Sequence, residues 1–496
     1  MLPRDPKLGH GRLYTHAGFE RILFGSGDSP AMSAIWPGLN AARYGEWLAE
    51  WGLIAYIVLL PLSHASPWQI PTRILLIAAA SGGLVAVFER GEISFPRSWI
   101  VGLFMLYAAI SALSALVSTD VTVSGAAVSK VLLRSLVVFL LVACAPREPA
   151  RWRRLGLALA TSALALSVVS LGLAAADVRN PWGGLVGPLF DYNSLCMFLI
   201  PTLPFAFQAA SQAAGRVGRV FWTLAATVVT TAVFLSFSRI GWAAFAVLVV
   251  VLFLFDRPGR PRVALASLGG LALFVLLVPD LRQIAAVTDN TRFVVTGDLE
   301  PSASVMKQLR LKDLGTFNDR LEYAWKPALA IVREHPWLGG GYGPSTFERL
   351  TPSDQPRLSH EHDALLSVAV QSGVFAAAAY AALLVVCVAR VGSRLRRLGP
   401  IAQAARASLI ALLGAFVAEY VFHGLAEPTN NGRMGILFAA LTGLAAALVT
   451  PAGSELVLRL GPRRGDEAPV VPTIPAGDAA ASSPTSAETS SRGADR

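Results

Sequence analysis

The feature that most constrains this chain is a series of apolar stretches, each long enough to cross a bilayer. The hydrocarbon core is about 30 Å thick and needs roughly 20 helical residues. Of the 496 residues, 54% are hydrophobic and only 15% are charged, which is not the composition of a soluble domain. We predict an all-α polytopic transmembrane bundle of about twelve spans, surrounded by membrane lipids, at 48–63, 71–88, 98–117, 129–145, 155–176, 195–209, 220–236, 240–256, 263–279, 364–389, 407–424 and 434–450.

Arginines in the short loops predict the orientation of these spans. With a cytoplasmic N-terminus, the inside loops carry most of the cations: Arg90, Arg97, Arg147, Arg151, Arg153, Arg154, Arg216, Arg219, Arg257, Arg260, Arg262, Arg390, Arg394, Arg396, Arg397 and Arg406. The outside loops carry far fewer, namely Arg73, Lys130, Arg179, Arg239 and Arg433. The positive-inside rule therefore predicts two cytoplasmic termini and an even number of spans. It also accounts for the net charge of +10 without nucleic acid as a partner.

The chain divides into five segments. We predict a cytoplasmic N-terminal segment (1–47), nine spans (48–279), a large periplasmic loop (280–363), three spans (364–450) and a disordered cytoplasmic tail (451–496). Within the loop, 320–334 has the apolar stripe of an amphipathic helix with a kink or break at Pro327. A glycine-rich turn, HPWLGGGYGPSTF, follows. A long loop that contains its own helix is usually functional.

The stretch 358-LSHEHDALLSVAVQSG-373 combines two histidines and two acids at the outer entry of a late span. Three interpretations remain open from the residues alone. His360 and His362 with a third ligand, Glu361 or Asp363, suit a metal site. A neutral histidine suits a general base for a hydroxyl nucleophile. The third interpretation is a polar collar at the membrane interface.

Several charges lie in or beside apolar runs, where they are costly unless they are paired or functional. Arg239, at the outer end of two spans, is either an anion ligand or an anchor to lipid headgroups. Arg320, at the start of the loop helix, is either an anion ligand or an ion-pair partner of its neighbours. Lys130 and Arg134 share a helical face and suit anion binding, whereas Glu419 and His423 suit pairing with a neighbouring helix.

Four motifs, in this order along the chain, resemble those of the bacterial O-antigen ligase and O-antigen polymerase superfamily. They are GPLFDYNSLCMFLIPTLPF (187–205), with Asn193 at the family's asparagine, LSFSRIGW (235–242), RLEYAWKPALAIVREHPWLGGGYG (320–343) and HDALLSVAVQSGVFA (362–376). Two positions depart from the family pattern. Asp363 replaces an asparagine and is expected to favour protonation of His362, and Gln371 replaces a glutamate, which indicates packing or hydrogen bonding there.

The resemblance implies a glycosyltransferase of the inner membrane with its site at the periplasmic face. The donor is a glycan on undecaprenyl diphosphate. The substrate-binding residues are Arg239, Arg320, Asp363, Asn193, Lys130 and Arg134, and His362 is the catalytic base. The reaction inverts the anomeric centre and needs neither metal nor cofactor.

The acceptor is not fixed by the sequence. We expect a ligase that delivers the glycan to lipid A–core. A polymerase that extends a growing glycan is the nearest alternative, and a protein O-oligosaccharyltransferase shares the architecture. A secondary transporter is the alternative from another class, since it also has about twelve helices and intramembrane charges.

Overall fold

The computed structural model describes residues 41–63, 67–145, 148–176, 185, 188, 192–278, 320–351, 360–398, 403–429, 432–451 and 454–459. Twelve apolar helices match the twelve predicted spans. Eleven have the length and composition of membrane spans, and Arg239–Phe255 is a shorter apolar helix. The prediction of an all-α polytopic bundle is therefore confirmed. Most of the N-terminal segment 1–47, the loop residues 280–319 and most of the tail 451–496 lie outside the described residues, so the predictions for them stay predictions.

The helices before the loop are α1 (Ala41–Leu59), α2 (Gln69–Arg90), α3 (Trp99–Leu116), α4 (Val121–Ala143, with a π-helical turn at Val128–Leu132), α5 (Pro149–Ala175), α6 (Tyr192–Gln212), α7 (Gly215–Leu235), α8 (Arg239–Phe255) and α9 (Arg260–Leu277). The loop contributes α10 (Lys326–Glu334, preceded by a π-helical turn at Leu321–Trp325) and α11 (Thr346–Leu350). The last helices are α12 (Ala364–Arg397), α13 (Gln403–Ala415, continued by a π-helical turn at Phe416–Phe422) and α14 (Gly432–Val449).

Three helices form the centre of the bundle. About four fifths or more of the spans Asn193–Gln212, Ala404–Leu425 and Gly432–Val449 is buried inside the protein, at 89%, 78% and 83%. The peripheral spans are much less buried, such as 22% for Arg257–Leu277, and they expose leucine, valine and phenylalanine to their surroundings. This distribution is typical of helices whose outer faces contact lipid.

A short antiparallel sheet joins two distant parts of the chain at one end of the bundle. Strand β1 (Glu92–Pro96) follows α2, and β2 (Glu455–Arg459) follows α14, with Glu92 opposite Arg459. The pairing holds the end of the last helix beside the loop after the second helix, on the same side. The second and the last span therefore end on the same side of the bundle, as they do when the total number of spans is even. Arg90 and Arg97 flank β1, so the sheet lies on the arginine-rich side.

The loop helix and the glycine-rich turn are fixed to α12 by a break in that helix. At Gly373, with φ of +81°, the helical path is interrupted. The Val374 N–H, which would normally donate to Val370, donates instead to the Pro336 carbonyl at 2.8 Å. The Val370 carbonyl accepts from the Gly340 N–H at 2.8 Å. The groups freed by the break are thus satisfied by the loop, as buried backbone groups require.

Two expectations about the loop and α12 need correction. We expected Pro327 to kink or break the loop helix, but the helix runs on from Arg320 to Glu334. The π-helical turn at Leu321–Trp325 ends two residues before Pro327, so the helix accommodates the proline, which has no N–H to donate, with a local irregularity rather than a break. The span predicted at 364–389 belongs to a longer helix, because α12 has 34 residues and a break at Gly373. Those 34 residues correspond to about 51 Å, more than the hydrocarbon core, so α12 extends beyond it.

Helices α1 and α2 pack closely where Gly45 of α1 faces Gly82 of α2. A Cβ atom added at Gly82 would lie 2.6 Å from the Gly45 carbonyl oxygen and 2.7 Å from the Ala49 nitrogen. Small residues at such crossings let two backbones pack directly in the membrane. The α1–α2 pair therefore depends on the absence of side chains at these two positions.

Replacing Gly82 with leucine should separate α1 from α2 and lower the free energy of unfolding by about 1–3 kcal/mol or more. Thermal unfolding of the detergent-solubilised variant measures the effect as a lower Tm. Gly102→Leu is the matched control, because Gly102 is exposed on α3 and a Cβ there meets nothing within 4 Å. Equal Tm values for the two variants would contradict the close packing.

Candidate active site

The site is built around the carboxylate of Glu427, which is 1% exposed and lies just beyond the end of the α13 helical run. Its Oε1 accepts from Asn193 Nδ2 at 2.9 Å and from Arg320 Nη2 at 3.2 Å. His362 Nδ1 lies 3.2 Å from the same oxygen, and His360 Nε2 lies 3.0 Å from Oε2. One buried charge thus gathers side chains from α6, the loop helix and the entry to α12.

Three of the predicted site residues, His362, Arg320 and Asn193, are therefore brought together. Arg320 is positioned by a second contact, because its Nη1 donates to the Ala426 carbonyl at 3.2 Å. Arg320 starts the π-helical turn of the loop helix. The docking of the loop on α12 therefore sets where this guanidinium lies.

A fourth predicted residue, Arg239, is connected to the centre through the residue before it. Ser238 Oγ donates to Asn193 Oδ1 at 2.7 Å, so Asn193 bridges Glu427 and the α7–α8 turn. Ser238 also caps α8 by accepting from the Gly241 N–H at 3.1 Å. Arg239, the first residue of α8, is half-buried beside this cap.

The predicted cations Lys130 and Arg134 lie elsewhere. Lys130 is exposed within the π-helical turn of α4, and Arg134 is half-buried in the next turn. That π-helical turn packs beside Tyr342 of the glycine-rich turn. Among the contacts described for residues 41–459, none joins Lys130 or Arg134 directly to Glu427.

His362 has a backbone conformation that is rare outside glycine, with φ of +53°. It stacks against His360, with ring centroids 3.9 Å apart. Both rings face Glu427, whereas the intervening Glu361 is fully buried. Such strain persists where the surroundings enforce it and is common at functional sites. Here the strain places two histidines on one carboxylate.

Electrostatics favour a neutral His362 next to an ionised Glu427. Burial acts to raise the pKa of the Glu427 carboxyl, but hydrogen bonds from His360 and His362 outweigh burial and hold that pKa well below its usual range. Burial lowers the pKa of the His362 imidazole, and this effect outweighs the hydrogen bond to Glu427. Because an ionised carboxylate only accepts, Nδ1 of neutral His362 carries the proton and Nε2 has the lone pair.

Asp363 has a different position from the one we expected. Its Oδ1 accepts from the Leu366 N–H at 2.7 Å, so it is the N-cap of α12. The carboxylate that contacts His362 belongs to Glu427, and the pKa of His362 is lowered rather than raised. Asparagine caps helices about as well as aspartate, so the capping role does not require the negative charge of Asp363.

Gln371 makes the hydrogen bonds expected from a neutral side chain. Its Oε1 accepts from the Gly343 N–H at 3.3 Å, and its Nε2 donates to Ser367 Oγ at 2.9 Å. For Glu419 and His423, the contacts seen within the described part of the chain include no ion pair with an arginine. They contact each other at 2.9 Å, and both are fully buried in the bundle.

Sequence reasoning missed Glu427, Ser238 and the contribution of His360. Glu427 stands in LAEPTNN after a span, where a single acid is unremarkable. Its importance comes from burial, which no local pattern reveals. Ser238 carried a signal, since serine before a helix is a strong N-cap candidate.

The three side chains His360, His362 and Glu427 also form a set that can hold a metal ion. One ligand atom from each lies within 4.8 Å of the others. Two imidazoles and a carboxylate are a donor set used by zinc. The geometry alone thus permits two kinds of chemistry, a carboxylate-oriented base and a metal site.

Comparison with known proteins supports the resemblance drawn from the motifs. Residues 224–381 match the sequence profile of the O-antigen ligase family. No curated protein gives a significant match. The matched segment contains Arg239, Arg320 and His362, whereas Asn193 and Glu427 lie outside it. This match, together with the bundle of apolar helices and the docked loop, supports the resemblance to the superfamily of O-antigen ligases and polymerases.

Proposed function

We propose that the protein transfers a glycan from undecaprenyl diphosphate to an acceptor hydroxyl at the periplasmic face, and that lipid A–core carries that hydroxyl. The observation that supports this most is the contact between His362 Nδ1 and the buried, ionised Glu427, with Arg320 on the same carboxylate. The proposed base His362, the carboxylate of Glu427 that orients it and the cation Arg320 are thus in direct contact.

The orientation follows from the two ends of the bundle. The described site residues lie at the end opposite the β1–β2 sheet. The arginine-rich loops lie on the side of that sheet and are cytoplasmic by the positive-inside rule. These two observations support the proposal of a multi-pass inner-membrane protein whose site faces the periplasm.

The cations bind the donor. An arginine has five N–H donors in a planar fork that fits phosphate oxygens. Arg320 uses one nitrogen on Glu427 and another on the Ala426 carbonyl, and its remaining N–H groups are available to a diphosphate. Arg239 approaches from the α7–α8 turn. Lys130 and Arg134 add positive charge at the same side of the bundle.

In the transfer step, Nε2 of His362 takes the proton from the acceptor hydroxyl. The hydroxyl oxygen attacks the anomeric carbon, and the bond from that carbon to the phosphate oxygen breaks. The electron pair leaves with the diphosphate, whose growing charge Arg320 and Arg239 stabilise. Glu427 stabilises the imidazolium, as a buried carboxylate does in other catalytic dyads. Direct displacement inverts the anomeric configuration.

Replacing His362 with glutamine should lower kcat by about 10²–10⁴-fold, the typical contribution of a general base. The measurement is consumption of lipid-linked glycan by purified protein in detergent. His335→Gln is the matched control, because His335 lies in the same loop and is not among the described residues that contact the Glu427 carboxylate. Full activity of the His362 variant at normal protein levels would remove the base assignment.

Activity should fall on the acid side with a midpoint below the ordinary histidine value of about 6.5. His362 works as a base only when neutral, its pKa is lowered, and activity is therefore lost as pH drops through that lower value.

In Glu427→Gln, loss of the carboxylate removes an effect that favours imidazolium. The acid limb of kcat/KM should then move to still lower pH, and kcat should fall by more than about tenfold.

If the acid limb is unchanged in Glu427→Gln, the Glu427 carboxylate does not influence the pKa of the catalytic base, and the proposed pairing with His362 is wrong. A glutamine can still accept one hydrogen bond from Arg320 or Asn193, so the variant retains part of the local contacts. A purely structural role of Glu427 would lower activity at every pH without moving the limb.

The surface glycans of a deletion strain test the acceptor. A ligase predicts that polymer stays on the lipid carrier and that lipid A–core is uncapped. A polymerase instead predicts single repeat units on lipid A–core or the loss of an exopolysaccharide. Complementation with the His362→Gln variant should fail in either case, whereas the His335→Gln variant should restore the wild-type profile.

A further inference from the structure

We infer that His360, His362 and Glu427 form an exchangeable site for zinc or a similar divalent transition metal, and that metal binding there blocks the proposed base. The binding part stands on geometry alone, whereas the inhibition part rests on the proposed function. The site lies at the outer end of the bundle, where the side chains of His360 and His362 are 31% and 14% exposed. A metal ion has access to both rings.

The distances are close to those of a tetrahedral zinc site. With bonds of about 2.0–2.1 Å, neighbouring ligand atoms lie about 3.3 Å apart. His360 Nε2 lies 3.0 Å from Oε2 and His362 Nδ1 lies 3.2 Å from Oε1 of Glu427, and one ligand atom from each of the three residues lies within 4.8 Å of the others. The ion is seated when the three ligand atoms close to the tetrahedral separation. Two nitrogen donors favour zinc and its neighbours over calcium or magnesium.

The carboxylate has one oxygen better suited to metal than the other. Oε1 already accepts from Asn193 and Arg320. Of the contacts described for Oε2, the only one is with His360. We therefore assign Oε2, His360 Nε2 and His362 Nδ1 as the ligands, with water in the fourth position. Arg320 remains on Oε1, and its positive charge opposes the ion, so the site exchanges metal rather than retaining it.

Metal at Nδ1 changes which nitrogen of His362 carries the proton. Without metal, Nδ1–H donates to Glu427 and the Nε2 lone pair is the base. A neutral imidazole that coordinates through Nδ1 carries its proton on Nε2. The nitrogen that faces the acceptor then has no lone pair, and proton transfer stops. The same three side chains thus support activity when free of metal and suppress it when they bind metal.

The test uses full-length protein purified without a polyhistidine tag. Isothermal titration with zinc chloride in the absence of donor measures stoichiometry and affinity, and activity is assayed over the same zinc range. We expect one zinc per chain in the wild type and in His335→Gln. In His360→Gln the affinity should fall at least tenfold, because even loss of a residue behind a metal ligand costs 10–100-fold.

Zinc should inhibit wild-type transfer in proportion to occupancy, and EDTA should restore it. The variant His360→Gln should need at least tenfold more zinc for the same inhibition. Equal zinc affinity in the wild type and His360→Gln would overturn the site, whatever the activity. Stoichiometric zinc binding with full transfer activity would overturn the blocking step and argue against His362 as the base, so the two failures are distinguishable.

Discussion

A single desolvated charge organises this protein. The Glu427 carboxylate is buried at the end of a central helix run and is contacted by Asn193, Arg320, His360 and His362. A buried carboxylate without such partners costs several kcal/mol, and removing one partner of a buried pair typically costs about 3–5 kcal/mol. The four contacting residues come from segments far apart in sequence. The carboxylate therefore joins the loop to the bundle electrostatically, and the geometry of the candidate site depends on that connection.

In the described part of the chain, three π-helical turns lie in elements that contribute to the site or pack against the glycine-rich turn. Phe416–Phe422 precedes the segment that carries Glu427, Leu321–Trp325 follows Arg320, and Val128–Leu132 contains Lys130 and packs beside the glycine-rich turn. Such turns insert an extra residue into a helix and are frequent at functional sites. Each one shifts the register of side chains along its helix. The bundle thus combines regular apolar spans with local irregularity at the end where the polar contacts converge.

The sequence was most informative about elements whose signal is periodic and local. All twelve spans were predictable, since an apolar run of membrane length has few other interpretations. Arg320, His362 and Asn193 were found because polar residues at span ends stand out against apolar neighbours. Glu427 was not found, because its role arises from burial and from partners up to 234 residues away. The capping bond of Asp363 is local, in contrast, and an aspartate directly before a helix is a recognisable N-cap signal.

The break at Gly373 is the point at which the backbone of α12 is hydrogen-bonded to the loop. Before the break, the carbonyls of Val370 and Gln371 accept from the Gly340 and Gly341 N–H groups of the glycine-rich turn, and just after it the Val374 N–H donates to Pro336. His362 is thus part of the loop rather than of the span it appears to begin. A chimera that exchanges loops between relatives would therefore keep a coherent centre only if its downstream junction fell at Gly373 or later. A junction at the apparent membrane boundary would separate the histidine from the segment that positions it.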